Sequence, residues 1–290
     1  MRKVTFIVGP TASGKTSYSI ELAKRTDAEI ISADSMQIYK YMDIGTAKPD
    51  EAERDGIPHH MIDIVEPDEN FSVAQYREMA LERIREITAR GKGVIVAGGT
   101  GLYVNSLIYN VTYSENSYDP EVRAELEHII RNRGNEYLHA RLGIIDPIAA
   151  LNIHVNDKKR IVRAMEIYLT TGCNVSDQIA LSRESPPDFE YEVIGMETDR
   201  QVLYQRIEKR VDNMLEAGLL EEVNRLCEMG FTCGTAMQAI GYKEMTGALH
   251  GKYSIEDAVI KIKMESRRYA KRQLTWLRRD ESVKWLMVDG

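Results

Sequence analysis

The sequence predicts an α/β fold, in which helices flank a parallel sheet and a helical insertion interrupts the chain of strands. Two short apolar runs, VTFIV at residues 4–8 and VIVA at residues 94–97, are typical of strands buried on both faces of a parallel sheet. Helical patterns lie between the strands, as crossover connections require. From residue 113 to residue 188 such apolar runs are missing, which predicts the helical insertion.

The first 112 residues predict alternating strands and helices. Strands are predicted at residues 4–8, 29–32 and 94–97, and a helix at residues 16–25. Ser72 and Gln75 form a capping-box pair, and apolar residues at helical spacing follow as far as Gly91. Residues 1–112 therefore form the first part of the predicted α/β core.

The rest of the chain predicts the insertion and then the return of the core. The insertion, residues 113–188, has helical patterns at residues 120–133, 136–142 and 158–171, and residues 182–192 (SRESPPDFEYE) read as a linker. The core resumes over residues 189–290. Strands are predicted at residues 191–196 and 283–288, and long helices at residues 199–229, with a break near Gly218, and residues 254–279.

The composition is that of a soluble globular enzyme or binding protein. Of the 290 residues 43% are hydrophobic and 29% charged, close to the globular average. The sequence contains no apolar run of about 20 residues, which a membrane helix needs, and no signal-peptide pattern at its start. A cytoplasmic protein without a membrane partner is expected, and because no coiled-coil pattern is present, a monomer.

The formal net charge of −7 hides two basic segments. One is KKRIVR at residues 158–163, and the other is KIKMESRRYAKRQLTWLRR at residues 261–279. Both are compatible with an RNA partner. The first could equally be a solvated helix face, and the second a core helix with a basic outer side.

The segment GPTASGKT matches the full spacing of a P-loop between a predicted strand and a predicted helix. Its backbone amides and the helix N-terminus would bind phosphate groups. Lys15 would reach the terminal phosphate, and the Thr16 hydroxyl would bind Mg²⁺. The predicted fold is thus P-loop NTPase-like. The predicted diphosphate-binding residues are Gly9, Pro10, Thr11, Ala12, Ser13, Gly14, Lys15 and Thr16.

Two further segments are expected beside the P-loop, because ligands bind at the carboxyl ends of parallel strands. ADSMQIY follows the second strand, and GGTG follows VIVA. Asp34 is the carboxylate at these strand ends, which makes it the candidate general base, although it could instead be an N-cap. VIVA ends in glycines rather than in an acid, which argues against ATP or GTP hydrolysis.

Four segments together resemble the tRNA dimethylallyltransferases, a bacterial family of isopentenyl transferases. They are GPTASGKT, DSMQIYKYMDIGTAKP, VAGGTGLYVNSL and AKRQLTWLRR, and they span nearly the whole chain in the family's order. The resemblance implies that the P-loop binds dimethylallyl diphosphate and that the alkyl group moves to N6 of adenine 37, adjacent to the anticodon. Asp34 would be the general base and Thr11 a positioning residue. Lys15 and Mg²⁺ would stabilise the departing diphosphate.

The resemblance also implies contacts with the tRNA anticodon stem-loop. The implied residues are Asp34, Ser35, Met36, Gln37, Thr100, Arg123, Lys159, Arg160, Ile161, Val162, Arg163, Gln238, Ala239, Ile240, Gly241, Tyr242 and Lys243. Two other functions share some of these features: a P-loop kinase of a small molecule, and a P-loop RNA-binding module without catalysis. A kinase would consume ATP, and a binding module would form no product.

Overall fold

The computed structural model describes residues 3–109, 118–184 and 187–288. The chain divides into an α/β unit, Met1–Val104 with Asp188–Gly290, and a helical unit, Asn105–Pro187. Residue 113, where the insertion was predicted to begin, lies outside the described residues.

Six strands form one parallel sheet in the order β3-β2-β4-β1-β5-β6. The strands are β1 (Val4–Val8), β2 (Ala28–Ser32), β3 (His59–His60), β4 (Gly93–Gly98), β5 (Tyr191–Glu197) and β6 (Val283–Met287). Residues of β1, β2 and β4 are buried almost throughout, as expected of central strands in a parallel sheet. The predicted α/β fold is confirmed.

Among the described residues, eight helices of at least one full turn lie wholly or partly in the α/β unit. They are α1 (Lys15–Thr26), α2 (Glu51–Arg54), α3 (Val73–Ala89), α4 (Gly101–Ile108), α10 (Arg200–Glu216), α11 (Leu219–Glu228), α12 (Tyr242–Leu249) and α13 (Ile255–Leu277). Ser72 and Gln75 cap α3 reciprocally, with Ser72 Oγ accepting from Gln75 N. No helix in the described ranges is both long and apolar enough to cross a membrane.

The sheet order places the three predicted ligand-binding segments side by side. β4 lies between β1 and β2, with Val8 opposite Gly98 and Ser32 opposite Ala97. Because all strands run in the same direction, the chain leaves β1, β2 and β4 at one edge of the sheet. This edge is where the P-loop, Asp34 and the GGTG segment begin.

The helical unit contains α5 (Pro120–Arg133), α6 (Asn135–Ile145), α7 (Pro147–Asn152), α8 (Lys158–Thr171) and α9 (Val175–Glu184). Aspartates begin several of these helices: Asp119 Oδ1 accepts from Val122 N, and Asp157 Oδ1 from Arg160 N. Leu126, Leu138 and Ile161 are among the residues of its own apolar core. The unit therefore has the core that a separate folding unit needs.

The structure corrects two details of the prediction. Residues 182–184 belong to α9, for which no helix was predicted, and residues 191–192 belong to β5, in agreement with the strand predicted at residues 191–196. The linker is therefore shorter than the predicted residues 182–192. His59 and His60, for which no strand was predicted, extend the sheet beside β2. The predicted break near Gly218 is confirmed, because Gly218 has φ 97° between α10 and α11.

Candidate active site

The P-loop turns sharply from β1 into α1. Ala12 and Gly14 have positive φ angles of 61° and 85°, and the Gly14 conformation costs little because glycine has no Cβ. Gly14 also has no side chain with which to cap α1. The first amides of α1 therefore remain available to an anion, which the helix dipole favours at this end.

Hydrogen bonds connect the segments after β2 and β4. Ser35 N donates to Thr100 Oγ1 (3.0 Å), and Thr100 N donates to Ala33 O (3.1 Å). Asp34 Oδ1 accepts from Met36 N (2.9 Å), so the backbone of its own loop orients this carboxylate. Gly98 permits the approach, because a Cβ there would lie 2.2 Å from Ala33 O.

These segments line one cavity of about 410 Å³ at the edge of the sheet. Its wall includes Thr11, Lys15 and Asp34 from the strand ends. α10 contributes Arg210 to the same wall. A ligand in this cavity can contact the P-loop and Asp34 at the same time.

The electrostatics of the cavity come from two cations and one carboxylate. Burial, and next the positive charge of Arg210, lower the pKa of Lys15 to about 7, although Asp34 partly opposes the shift. Burial also lowers the pKa of Arg210, again against the attraction of Asp34. The Lys15 ammonium donates to Pro10 O (2.6 Å). A bound polyanion would favour the charged form of Lys15 and relieve the repulsion between the two cations.

A glutamine on α13 joins two of the loops. Gln273, only 7% exposed, accepts from Thr11 N (2.9 Å) and donates to Gly99 O (3.0 Å). A Cβ at Gly99 would lie 2.1 Å from Gln273 Nε2, so the glycine is required for this contact. Tyr269, one turn earlier, has its pKa raised to about 12, mainly by burial and then by Asp34.

Sequence reasoning missed Arg210 and Gln273. Arg210 lies in the middle of α10 and Gln273 in the last part of α13, and nothing in the local pattern separates them from neighbouring polar residues. The only signal was that Gln273 falls within AKRQLTWLRR, one of the four segments that carry the family resemblance.

A model of a protein family described as IPP transferase matches residues 37–280. The chain belongs to the IPP transferase family. It is 55% identical over 290 residues to a tRNA dimethylallyltransferase of Acetivibrio thermocellus, covering all of this chain and 93% of the relative. A tRNA dimethylallyltransferase of Carboxydothermus hydrogenoformans is 50% identical over 98% of this chain and 91% of its own length.

Solved structures of related transferases match this chain in fold and in sequence. The full-length tRNA isopentenylpyrophosphate transferase of Bacillus halodurans matches with a TM-score of 0.74 and 45% identity, covering 100% of this chain and 92% of the other. A eukaryotic dimethylallyltransferase acting on tRNA matches with a TM-score of 0.84 and 31% identity, over 99% of this chain and 74% of that one. The predicted family and its P-loop-like fold are confirmed, and so is the prediction of a transferase that prenylates tRNA.

Most predicted RNA contacts in the α/β unit of this IPP transferase lie at the cavity. Its lining includes Asp34, Ser35, Met36, Gln37, Gln238, Ala239, Ile240, Gly241 and Lys243. Thr100 is connected to the same site through Ser35. Tyr242 differs: it is fully buried, and its hydroxyl donates to Glu222 Oε1 (2.6 Å). Tyr242 is therefore part of the packing behind the cavity.

The predicted RNA contacts of the helical unit divide into three kinds. Lys159 and Arg160 are exposed on α8. Arg163 and Arg123 bind the buried Glu166.

The remaining two residues, Ile161 and Val162, require a correction. They are 0% and 5% exposed and belong to the core of the helical unit. They lie on the inner face of an amphipathic helix. Their side chains are therefore not available to RNA in this structure, in contrast to the prediction.

The structure offers one place for the predicted Mg²⁺. In the described ranges no group of three or more His, Cys, Asp and Glu residues could hold a metal ion. Thr16 lies in the first turn of α1, is exposed, and lines the cavity. Mg²⁺ commonly binds through few protein ligands plus substrate phosphates and water, so a single hydroxyl beside a diphosphate fits this ion.

Proposed function

We propose that this IPP transferase moves a dimethylallyl group from dimethylallyl diphosphate to N6 of adenine 37, adjacent to the anticodon of tRNA, and releases diphosphate. The activities for which its relatives are named support this reaction. The observation that carries the assignment of residues is that Lys15, Arg210 and Asp34 surround one cavity at the P-loop. Two cations suit a departing diphosphate, and a carboxylate suits an amine that loses a proton.

The P-loop side of the cavity stabilises the leaving group. When the allylic carbon–oxygen bond breaks, its electron pair moves to the diphosphate oxygen, where negative charge grows. The amides in the first turn of α1 and the cations of Lys15 and Arg210 are positioned before the reaction to interact with that charge. The predicted diphosphate contacts of residues 9–16 are part of this proposal.

Asp34 serves as the general base. The exocyclic nitrogen of adenine forms the new carbon–nitrogen bond and then carries an extra proton, which the Asp34 carboxylate accepts. Its hydrogen bond from Met36 N holds it at the end of β2. Thr11 has a positioning role, since Gln273 fixes its backbone amide.

Mg²⁺ completes the proposed site. The Thr16 hydroxyl and oxygens of the diphosphate would hold the ion, which would supply further positive charge to the leaving group. Thr16 and Lys15 are consecutive in the chain, so the first turn of α1 presents a hydroxyl and an ammonium to the same ligand.

The RNA enters from the side lined by Gln37, residues 238–241 and Lys243. We propose that Ser35, Met36 and Thr100 contact the anticodon loop there, and that Lys159, Arg160, Arg123 and Arg163 contribute positive charge from the helical unit. We also propose that the enzyme is a monomer and is cytoplasmic. Light scattering after size-exclusion chromatography tests the oligomeric state.

Mass spectrometry tests the reaction directly. Purified protein is incubated with Mg²⁺, an anticodon stem-loop and either dimethylallyl diphosphate or ATP, and the nucleosides are analysed. The expected result is one five-carbon group per RNA with the prenyl donor only. ATP consumption without prenylated RNA would support a kinase instead, and RNA binding without product would support the binding module.

A further inference from the structure

A buried glutamate behind the cavity binds two separate segments of its wall. Glu222, on α11, is 1% exposed. Its Oε2 accepts from Asp43 N (3.0 Å) and Ile44 N (2.9 Å). Its Oε1 accepts from Gly45 N (3.1 Å) and from the Tyr242 hydroxyl (2.6 Å). One carboxylate thus receives four hydrogen bonds.

The donors belong to residues 43–48 and residues 238–243. Gly45, Thr46 and Ala47 line the cavity from the first segment, and Ala239, Ile240 and Gly241 from the second. The segments pack closely: a Cβ at Gly45 would lie 2.5 Å from Tyr242 Cε2. Glu222 therefore fixes the distance between the two parts of this wall.

The same contacts reach a predicted RNA-contacting side chain. Gln37 Nε2 donates to Ala47 O (3.2 Å), and Gln37 Oε1 accepts from Ser32 Oγ (3.0 Å). The amide of Gln37 is thus oriented between β2 and residues 43–48. Movement of that segment would change the direction in which Gln37 faces the cavity.

The arrangement depends on the charge of Glu222. Three consecutive backbone amides converge on the carboxylate, as they do in backbone sites that bind anions. Charge-assisted hydrogen bonds of this kind are stronger than neutral ones. A neutral amide at this position could not accept all four bonds, and a donor left without a partner in a buried site is costly.

We propose that Glu222 is a positioning residue for RNA recognition. It touches neither substrate, but its carboxylate holds residues 43–48 and 238–243 in the arrangement in which Gln37 and Lys243 meet the anticodon loop. The proposal rests on the function proposed above and adds a residue for which the sequence predicted no role.

Glu222→Gln tests this role, with Glu221→Gln as the matched control, because Glu221 is exposed on the same helix. For Glu222→Gln we expect the Kd for the anticodon stem-loop to rise by about tenfold, from the loss of one or two buried hydrogen bonds. The KM for dimethylallyl diphosphate and kcat at saturating RNA should stay within about twofold of wild type. The control should match wild type in every measurement.

Combination with Gln37→Ala separates positioning from a general loss of stability. If Glu222 acts through Gln37, the fold-increase in the Kd of the double variant should be well below the product of the fold-increases in the two single variants. A fully multiplicative effect would overturn the proposal. It would also be overturned by unchanged RNA affinity in Glu222→Gln, or by an equal rise in the KM for the prenyl donor.

Tyr242→Phe covers the case in which Glu222→Gln fails to fold. It removes one donor and keeps the carboxylate bound to residues 43–45, so an increase of about threefold in the Kd for RNA is expected, and wild-type affinity would contradict the proposal. RNA binding is measured without the prenyl donor. Absence of product from wild type would therefore refute the proposed reaction, while the binding data would still decide the role of Glu222.

Discussion

One pair of cations in each unit of the chain shows a contrast in ion pairing. In the helical unit, Arg123 Nη2 and Arg163 Nη1 bind the buried carboxylate of Glu166, at 2.7 Å and 2.8 Å. In the α/β unit, Lys15 and Arg210 face the cavity, and in the described part of the chain neither forms an ion pair with a carboxylate. The first two cations share one buried carboxylate as their ion-pair partner, and the second two have no such partner among the described residues.

This difference indicates where an anionic ligand gains the most binding free energy. A phosphate that approaches Arg163 competes with an existing ion pair, whereas a diphosphate beside Lys15 and Arg210 supplies the missing negative charge. Burial lowers the pKa values of both Lys15 and Arg210, because it disfavours their charged forms, and the charge of Arg210 lowers the pKa of Lys15 further. Basic residues alone therefore do not identify a binding surface.

Asp34→Asn should have the largest effect, because it removes the base while leaving an oxygen to accept from Met36 N. We expect the single-turnover rate of prenyl transfer to fall by about 10²–10⁴-fold. The Kd for the anticodon stem-loop should stay near the wild-type value. Equal single-turnover rates for the two proteins would remove Asp34 from the mechanism.

Arg210→Met and Lys15→Met test the two cavity cations that have no ion-pair partner in the described part of the chain. Each should lower the rate of transfer by about 10²–10³-fold, because each removes charge that stabilises the leaving diphosphate. Single-turnover kinetics with saturating RNA measures the effect, and Arg206→Met, on the same helix, serves as the control. A change confined to RNA affinity would place these cations outside the diphosphate site.

Glu166→Gln tests the two arginines that share one carboxylate. The free energy of unfolding of the helical unit should fall by about 1–3 kcal/mol. This is less than the loss of a fully buried ion pair would cost, because both arginines are partly exposed. Burial raises the pKa of Glu166, but the bonds from Arg123 and Arg163 outweigh it, so the pKa is lowered overall. The stabilisation is therefore present above the ordinary carboxyl pKa and disappears as the pH falls. Denaturant unfolding at pH 7 and at pH 4 should show a difference between variant and wild type that shrinks at the lower pH.

Lys159→Ala with Arg160→Ala should give the smallest effect. Both side chains are exposed, and loss of two phosphate contacts should weaken RNA binding by several fold and reduce the salt slope of log K by about two. Fluorescence anisotropy at several salt concentrations measures both quantities. Unchanged affinity and slope would show that this part of α8 does not contact RNA.

Much of the α/β unit was predictable because its signals are local. Five buried or partly buried strands, the P-loop and the Ser72–Gln75 capping box each depend on residues that are adjacent or one helical turn apart. β3 was missed because two residues, His59 and His60, show no alternation or apolar run. α9 was not predicted, and its last residues, 182–184, were assigned to a linker because of the proline pair at residues 186–187.

The residues of the candidate site also divide into those that local patterns predicted and those that they did not. Glycine spacing and strand ends indicated residues 9–16, Asp34 and Thr100, which the sheet order places together. Ile161 and Val162 were misjudged because a contact range was carried over as a block, whereas a helix turns successive residues to different faces. Gln273 and Glu222 could not be found, since each binds a loop far away in sequence.

The sequence by itself determined which segments can form strands, helices and a phosphate-binding loop, because backbone conformation responds to nearby residues and to the period of apolar side chains. Only the tertiary structure decided which cations pair with a carboxylate and which side chains bind the loops at the cavity. Arg123 and Arg210 are the same residue type on helices, yet Glu166, 43 residues away in sequence, lies beside one and an open cavity beside the other. That outcome depends on contacts between distant parts of the chain, and no local pattern records it.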